Sequence, residues 1–164
     1  MAAKRSFSRI NLWDTALVLE FLDDTLVRIS LPTADCPSDT AHKEISKRWE
    51  DALTQYLEGK LLAEELPAWS LQASAFQTQV LQYLLEATTP GQVLTYQQLA
   101  LTLFNSANHT RAVARSLASN PLPLIFPCHR VMGSGQVWKG YALGRELWLK
   151  LTTLENQISM PVKA

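Results

Sequence analysis

One short stretch of this chain gathers side chains able to do covalent chemistry: Asn120-Pro-Leu-Pro-Leu-Ile-Phe-Pro-Cys128-His129-Arg130-Val131. A cysteine acts as a nucleophile through its thiolate, which neighbouring imidazole and guanidinium groups stabilise. Cys128, in a proline-rich apolar loop and flanked by His129 and Arg130, is therefore a candidate nucleophile. By default a lone cysteine is a small core residue, and the residue types alone leave that reading open. A protease-like Cys–His dyad is less natural, because neighbours in a strand point to opposite faces. Contact would need a tight turn or a bridging water. One Cys–His pair lacks the remaining ligands of a metal site. Gly133-Ser-Gly135 has no third glycine and no helix at the spacing of a phosphate-binding loop, so it reads as a hairpin turn.

The elements that must position this stretch follow from hydrophobic spacing. Residues 15–31 read as two strands around an Asp23-Asp24 turn, with branched and aromatic residues on both sides. Ser38-Asp39-Thr40 offers an N-cap to a helix whose Ile45, Trp49, Leu53, Tyr56 and Leu57 recur at three- and four-residue spacing, closed by Gly59. Residues 60–72 read as a connector. Ser74-Ala-Phe-Gln77 fits a capping box, and Phe76, Val80, Tyr83 and Leu84 line one helix face ending before Thr89-Pro90-Gly91. Thr95 can cap a helix from Tyr96 to about Phe104. Asn105-Ser-Ala-Asn-His109 breaks it, and a further helix runs to Asn120-Pro121. Two short helices around a short break, the second carrying Arg111 and Arg115, resemble a helix-turn-helix, a pattern also common in bundles that bind nothing. Residues 121–143 read as an ordered loop, and a last helix spans about Gly144 to Asn156 with Leu147, Leu151 and Leu154 on one face.

At 164 residues and 47% hydrophobic composition, the chain can bury a core without disulfide or metal staples. Charged residues are only 18%, which excludes a solvating disordered chain. No apolar run approaches the ~20 residues of a membrane helix. The start, Met-Ala-Ala-Lys-Arg-Ser-Phe-Ser-Arg, lacks the apolar stretch of a secretory leader. Cys36 and Cys128 are far apart and form no CxxC pair, so a reducing, cytoplasmic setting is expected. The zero net charge conceals two halves, since residues 1–70 are net −4 and residues 71–164 net +4. Between residues 87 and 145 stand Arg111, Arg115, Arg130, Lys139 and Arg145 with no carboxylate. A surface meeting phosphate and a merely polar segment both fit that pattern.

Pro127-Cys128-His129-Arg130-Val131 resembles the signature of the O6-alkylguanine-DNA alkyltransferases, the methylated-DNA–protein-cysteine methyltransferases. Phe76-Gln77, Gly91-Gln-Val-Leu-Thr-Tyr96-Gln-Gln-Leu-Ala, Arg111-Ala-Val, Asn120-Pro, Gly140-Tyr141 and Glu155 follow in the family's order at nearly its spacing. The resemblance covers residues 74–157, while residues 1–73 fit loosely as the family's variable N-terminal domain. It implies the alkyltransferase fold: an α/β, ribonuclease H-like N-terminal domain over residues 1–70, and a mainly α C-terminal domain with a helix-turn-helix over residues 71–164. It also implies DNA repair without a cofactor or metal, acting as a monomer. The alkyl group of O6-methylguanine, or of O4-methylthymine, in duplex DNA would pass irreversibly to Cys128. The target base sits inside the stack and would have to be flipped out.

Each matching position inherits a role. The resemblance makes His129 the base that takes the thiol proton through a water, and Glu155 the group that orients and stabilises the resulting imidazolium. Tyr96 would hydrogen-bond the flipped base and help protonate the departing guanine. Asn120 would hold the Cys128 loop to the helix-turn-helix. Arg111 would fill the space left by the flipped base, on a helix lying in the minor groove. Ala112 and Ala114 would permit close approach there, with Arg115 and Thr95 near phosphate. Val131, Tyr141, Ala142 and Leu143 would line the base pocket. Many relatives have glycine where this chain has Leu143, whose bulk predicts a narrower pocket favouring methyl over benzyl adducts. Trp148 stands where lysine is common, and with Trp138 it reads as packing. Cys36 and His42 are too few ligands for the structural zinc some relatives hold. Two other readings rank below this one. The alkyltransferase-like lesion sensors replace the nucleophilic cysteine, usually with tryptophan, and this chain keeps Cys128. A fused transcriptional regulator would carry a further domain.

Overall fold

The computed structural model describes residues 2–159. The chain divides into two compact units, the first up to Gln72 and the second from Ala73. In the first unit, strands β1 (Arg5–Leu12), β2 (Thr15–Leu22) and β3 (Thr25–Ser30) form an antiparallel meander in the order β1-β2-β3, followed by helix α1 (Lys43–Leu57). Strand β1 escaped the sequence reading because its buried positions begin with Ser6 and Ser8, which break the apolar alternation. Ser8 is buried without penalty because its hydroxyl bonds the hydroxyl of Ser46 on α1. Both hairpins turn on two residues with positive φ: Asp23-Asp24, as expected, and Trp13-Asp14, where a tryptophan gives no turn signal.

Two expectations in this unit are corrected. Ser38-Asp39-Thr40 does not cap the helix. The backbone N–H groups of Thr40 and Ala41 donate to the Phe7 carbonyl, and the Thr40 hydroxyl accepts from the Phe7 N–H, which pins the segment to the edge of β1. Helix α1 therefore begins at Lys43, with His42 as an N-cap that makes no side-chain bond. Residues 60–72 are also more than a connector. They contain a 3-10 turn, Ala63–Glu65, and the Leu26 N–H and carbonyl bond the Ala68 carbonyl and the Ser70 N–H.

The second unit holds helices α2 (Ala75–Ala87), α3 (Tyr96–Phe104), α4 (Thr110–Ala118) and α5 (Arg145–Ser159). Ser74 caps α2 by accepting from the Gln77 N–H. The reciprocal arm of the expected capping box is missing, because the Gln77 amide donates instead to the Ser116 and Ser119 carbonyls at the end of α4. Thr95 and Gln98 do form a complete box at α3. Asn105 closes α3 in the left-handed conformation, and α3 and α4 then pack on each other. A parallel pair of two-residue strands, β4 (Leu94–Thr95) and β5 (Val131–Met132), joins the start of α3 to the segment just after Cys128. Gly133 and Val137 exchange backbone bonds across the glycine turn, with Gly135 at φ 73°. Among the described residues no helix is long and apolar enough to cross a membrane.

Candidate active site

The segment that carries the cysteine is buried from Asn120 through His129. Its leucines, isoleucine and phenylalanine go to the core: Leu122, Leu124, Ile125 and Phe126 are each at most 1% exposed. That burial, together with Phe126 N–H donating to the Leu122 carbonyl, holds Leu124 at a φ of 84°, a conformation costly for a branched side chain. The loop is rigid because it is core. It ends in a 3-10 turn, Cys128–Arg130, not a strand, so the alternation that would drive Cys128 and His129 apart does not apply.

Asn120, just beyond the end of α4, holds this loop with one side chain. Its Nδ2 donates to the Phe126 carbonyl at 3.3 Å and to Cys128 Sγ at 3.4 Å, while its Oδ1 accepts from the Leu122 N–H at 3.0 Å. One amide thus ties the chain just beyond α4 to Phe126, Cys128 and Leu122, while the C-cap of α4 itself is Ser119. Asn120→Ala would strip partners from three buried groups, and we expect it to cost about 2–4 kcal/mol in chemical denaturation. A change under about 1 kcal/mol would mean that the loop is held by burial alone.

Behind the cysteine lies a network of charge. His129 Nε2 is 2.7 Å from Glu155 Oε1 on α5. Arg130 donates to the same carboxylate through Nε, 3.1 Å from each oxygen, and through Nη2 at 2.7 Å. The Gly91 N–H donates to Oε2 at 3.2 Å. Arg130 Nη1 turns the other way, to the Thr88 hydroxyl at 2.9 Å and its carbonyl at 3.3 Å. Burial acts to raise the Glu155 pKa, but donation from His129 and Arg130 and their positive charge prevail and lower it to about 2. An ionised Glu155 can only accept, so His129 Nε2 carries the proton in this contact. Nδ1 is buried and has no hydrogen-bond partner among the described residues. The imidazole thus presents one nitrogen to Glu155 and an unpartnered one on its other side.

Cys128 forms part of the wall of a cavity of about 570 Å³. Tyr96, the first residue of α3, and Ala114, Leu117 and Ala118 of α4 line one part of it, and Lys139, Gly140, Tyr141 and Ala142 another. Burial pushes the Cys128 thiol up to about 11, against the lowering effect of the Asn120 donor, so the resting group is a neutral thiol that needs a base. Burial first, and then proximity to Cys128, also raises the Tyr96 hydroxyl pKa. Tyr141 is raised well above its ordinary value by burial, Cys128 and Glu155 in that order. Its ring stands edge-on to His129, with centroids 6.2 Å apart.

The cavity thus unites Cys128, Tyr96, Ala114, Tyr141 and Ala142 from the sequence-level set. Asn120 bonds Cys128 and His129 bonds Glu155, and none of these three partners lines the cavity. Two expected wall residues are elsewhere. Val131 is 5% exposed in β5 and Leu143 is 2% exposed in the core, and neither lines the cavity. Leu143 is buried in the core and is not a lining residue, so the expected preference for methyl over benzyl adducts gains no support from the cavity wall. Arg111, Ala112 and Arg115 lie on α4 outside the cavity, both arginines exposed, and the Thr95 hydroxyl caps α3. Sequence reasoning treated Arg130 as a thiolate partner, whereas its guanidinium is committed to Glu155 and Thr88. It missed Thr88 and Leu117, and gave Gly91 and Lys139 no place at the reactive centre. Nothing local marks them, although Arg130 beside a histidine was a signal for a buried carboxylate partner.

A family model described as the 6-O-methylguanine DNA methyltransferase, DNA binding domain, matches residues 75–157, the whole of this site. The chain belongs to that methyltransferase family. Within it, a Pyrococcus horikoshii methylated-DNA–protein-cysteine methyltransferase is 32% identical over 122 residues, 73% of this chain and 69% of that protein. The human methyltransferase of the same name is 36% identical over 97 residues, and the alignment spans 56% of this chain and 46% of that protein. The methyltransferase fold extends over nearly all of the chain. The Mycobacterium tuberculosis O6-methylguanine methyltransferase superposes with a TM-score of 0.77 at 23% identity, covering 98% of this chain and 97% of that one. The Methanococcus jannaschii O6-methylguanine DNA methyltransferase gives 0.70 at 24% identity, covering 94% and 96%.

Proposed function

We propose that this chain repairs DNA by transferring the alkyl group of O6-methylguanine, and of O4-methylthymine, from duplex DNA to Cys128, once per protein molecule. The observation that carries the reading is a buried thiol on a cavity wall, backed by a histidine whose free nitrogen is paired through its ring to an ionised carboxylate. His129 Nδ1 accepts the thiol proton, through a water, as the sulfur attacks the alkyl carbon. The new S–C bond forms as the C–O6 bond breaks, and both electrons of that bond leave with guanine. The Tyr96 hydroxyl protonates the departing base and regains a proton from solvent, to which His129 releases the thiol's proton. In sum the thiol exchanges its proton for an alkyl group and guanine gains a proton. A thioether is a poor leaving group and no thiolate is regenerated, which makes the protein a stoichiometric reagent.

The DNA side of the reading rests on α3 and α4 acting as a helix-turn-helix, with α4 in the minor groove. In support, Arg111 and Arg115 are exposed on α4 while Ala114 and Leu117 of the same helix border the cavity. A flipped base would then enter beside the helix that fills its vacated place. A relative solved in complex with DNA, from Mycobacterium tuberculosis, has this fold with a TM-score of 0.74. The protein would act as a monomer, in a reducing compartment that keeps Cys128 reduced.

The deciding experiment incubates the protein with duplex DNA holding one O6-methylguanine and follows intact mass and peptide map. One methyl group on Cys128, saturating at one per molecule, is the expected result. Lesion binding without a mass change would make the chain a sensor. Arg111 gives a second check. Arg111→Ala should slow repair of duplex DNA about 10–100-fold, the cost of an unsupported flip, and leave reaction with free O6-benzylguanine within about twofold. Equal losses on both substrates would remove Arg111 from base flipping.

A further inference from the structure

Trp148, in the first turns of α5, touches both sides of the reactive centre. Its indole Nε1–H donates to the His129 carbonyl at 3.1 Å, gripping the backbone of the turn that carries Cys128. Its ring packs against Trp138, with centroids 6.0 Å apart and planes at 56°. Trp138 is in turn covered by the Arg145 guanidinium, 5.6 Å from the ring centroid. Trp138 immediately precedes Lys139, Gly140, Tyr141 and Ala142, which form part of the wall of the Cys128 cavity. Trp148 also borders a second cavity, of about 200 Å³, that reaches His129, Arg130 and Glu155 and shares no lining residue with the first.

We propose that Trp148 is a positioning residue for alkyl transfer: its indole N–H seats His129, and its ring, through Trp138, braces the stretch that carries part of the cavity wall. The assignment of alkyl transfer rests on the function proposed above, but the positioning itself concerns only the reactivity of the Cys128 thiol. A thiol held neutral by burial reacts near neutral pH only as fast as its base removes the proton. His129 is faced by Glu155 from α5, by Tyr141 from the 138–142 stretch, and by Cys128 and Arg130 on its own turn. Trp148 adds no titrating group. A pH-dependent consequence of altering it therefore runs through how His129 is seated.

The test is the rate of Cys128 modification by iodoacetamide, read by peptide mass from pH 6 to 10 in the full chain. Trp148→Phe keeps a ring against Trp138 and removes only the donor. We expect it to slow modification about threefold to tenfold near pH 7, the range for one lost hydrogen bond. The gap should close toward high pH, where hydroxide replaces the base. Leu149→Ala, 46% exposed on the same helix, should match the wild type throughout. A Trp148→Phe profile that superimposes on the wild type, or is offset equally at every pH, overturns the proposal. Should the variant not fold, the wild type still decides, by NMR exchange of the Trp148 indole proton. Slow exchange supports the seated bond, and exchange at the rate of a free indole overturns it. Iodoacetamide needs no DNA, so a wild type that takes no methyl group from lesion DNA would sink the repair function and leave this test standing.

Discussion

Cys128→Ser is expected to abolish alkyl transfer, a loss of at least about 10⁴-fold, while leaving affinity for alkylated duplex DNA within about threefold. A serine hydroxyl is far less acidic than a thiol, and neutral imidazole cannot prepare it to displace an alkyl carbon. The cavity wall and the exposed arginines of α4 are untouched by the change, so binding should persist. Asn120 Nδ2 can donate to an oxygen at that place as it does to Sγ, which keeps the loop intact. The check pairs intact mass after incubation with lesion DNA and a gel-shift titration. A methyl group transferred at the normal rate would identify another nucleophile. Cys36, the only other cysteine, lies in a loop of the first unit, and the peptide map would reveal it.

Glu155 carries the second large effect, on stability as well as rate. Glu155→Ala would leave the Arg130 guanidinium, 11% exposed in its side chain, without its carboxylate, and we expect a loss of about 3–5 kcal/mol. Glu155→Gln keeps the shape and removes the charge. Transfer should fall about 10²–10⁴-fold because the imidazolium formed at His129 loses its counter-ion. The pH dependence gives an independent sign. The folded-state pKa of about 2 lies below the ordinary value of 4.5, so ionised Glu155 contributes stability above the latter. That contribution is lost as pH falls from about 4.5 through about 2. Urea denaturation of the wild type should therefore weaken over this window, and Glu155→Gln should show a flatter dependence. Parallel curves for the two proteins would mean that the carboxylate is not held in its charged form.

Much of the reactive centre was legible in the chain, because its signature residues are contiguous or fall at fixed spacing. Cys128 and His129 are adjacent and Asn120 lies eight positions earlier, but the bond from Asn120 to Cys128 depends on the buried turn at Leu124. The helix α3 start was equally plain, since Thr95 and Gln98 satisfy each other locally. Local rules failed where a partner lies far along the chain. Thr40 looks like a helix cap until β1 arrives to bond it, and Gln77 looks like half of a capping box until α4 offers carbonyls. Leu143 seemed a pocket residue by position in line, yet the turn at Gly144 and α5 carries its side chain into the core.

Residue types and their order put the chemistry on offer: a thiol, a neighbouring base, a carboxylate and a phenol in a family order, with a basic second half. How the charges are shared depends on the fold. Glu155 sits 26 residues beyond His129, and whether it is a solvated helix residue or a buried counter-ion depends on α5 packing against the Cys128 turn. The same packing brings Thr88, Gly91 and Trp148 to Arg130, Glu155 and the His129 carbonyl. Burial and hydrogen bonding are properties of residues that meet in space, and spacing along the chain carries no record of which ones will meet.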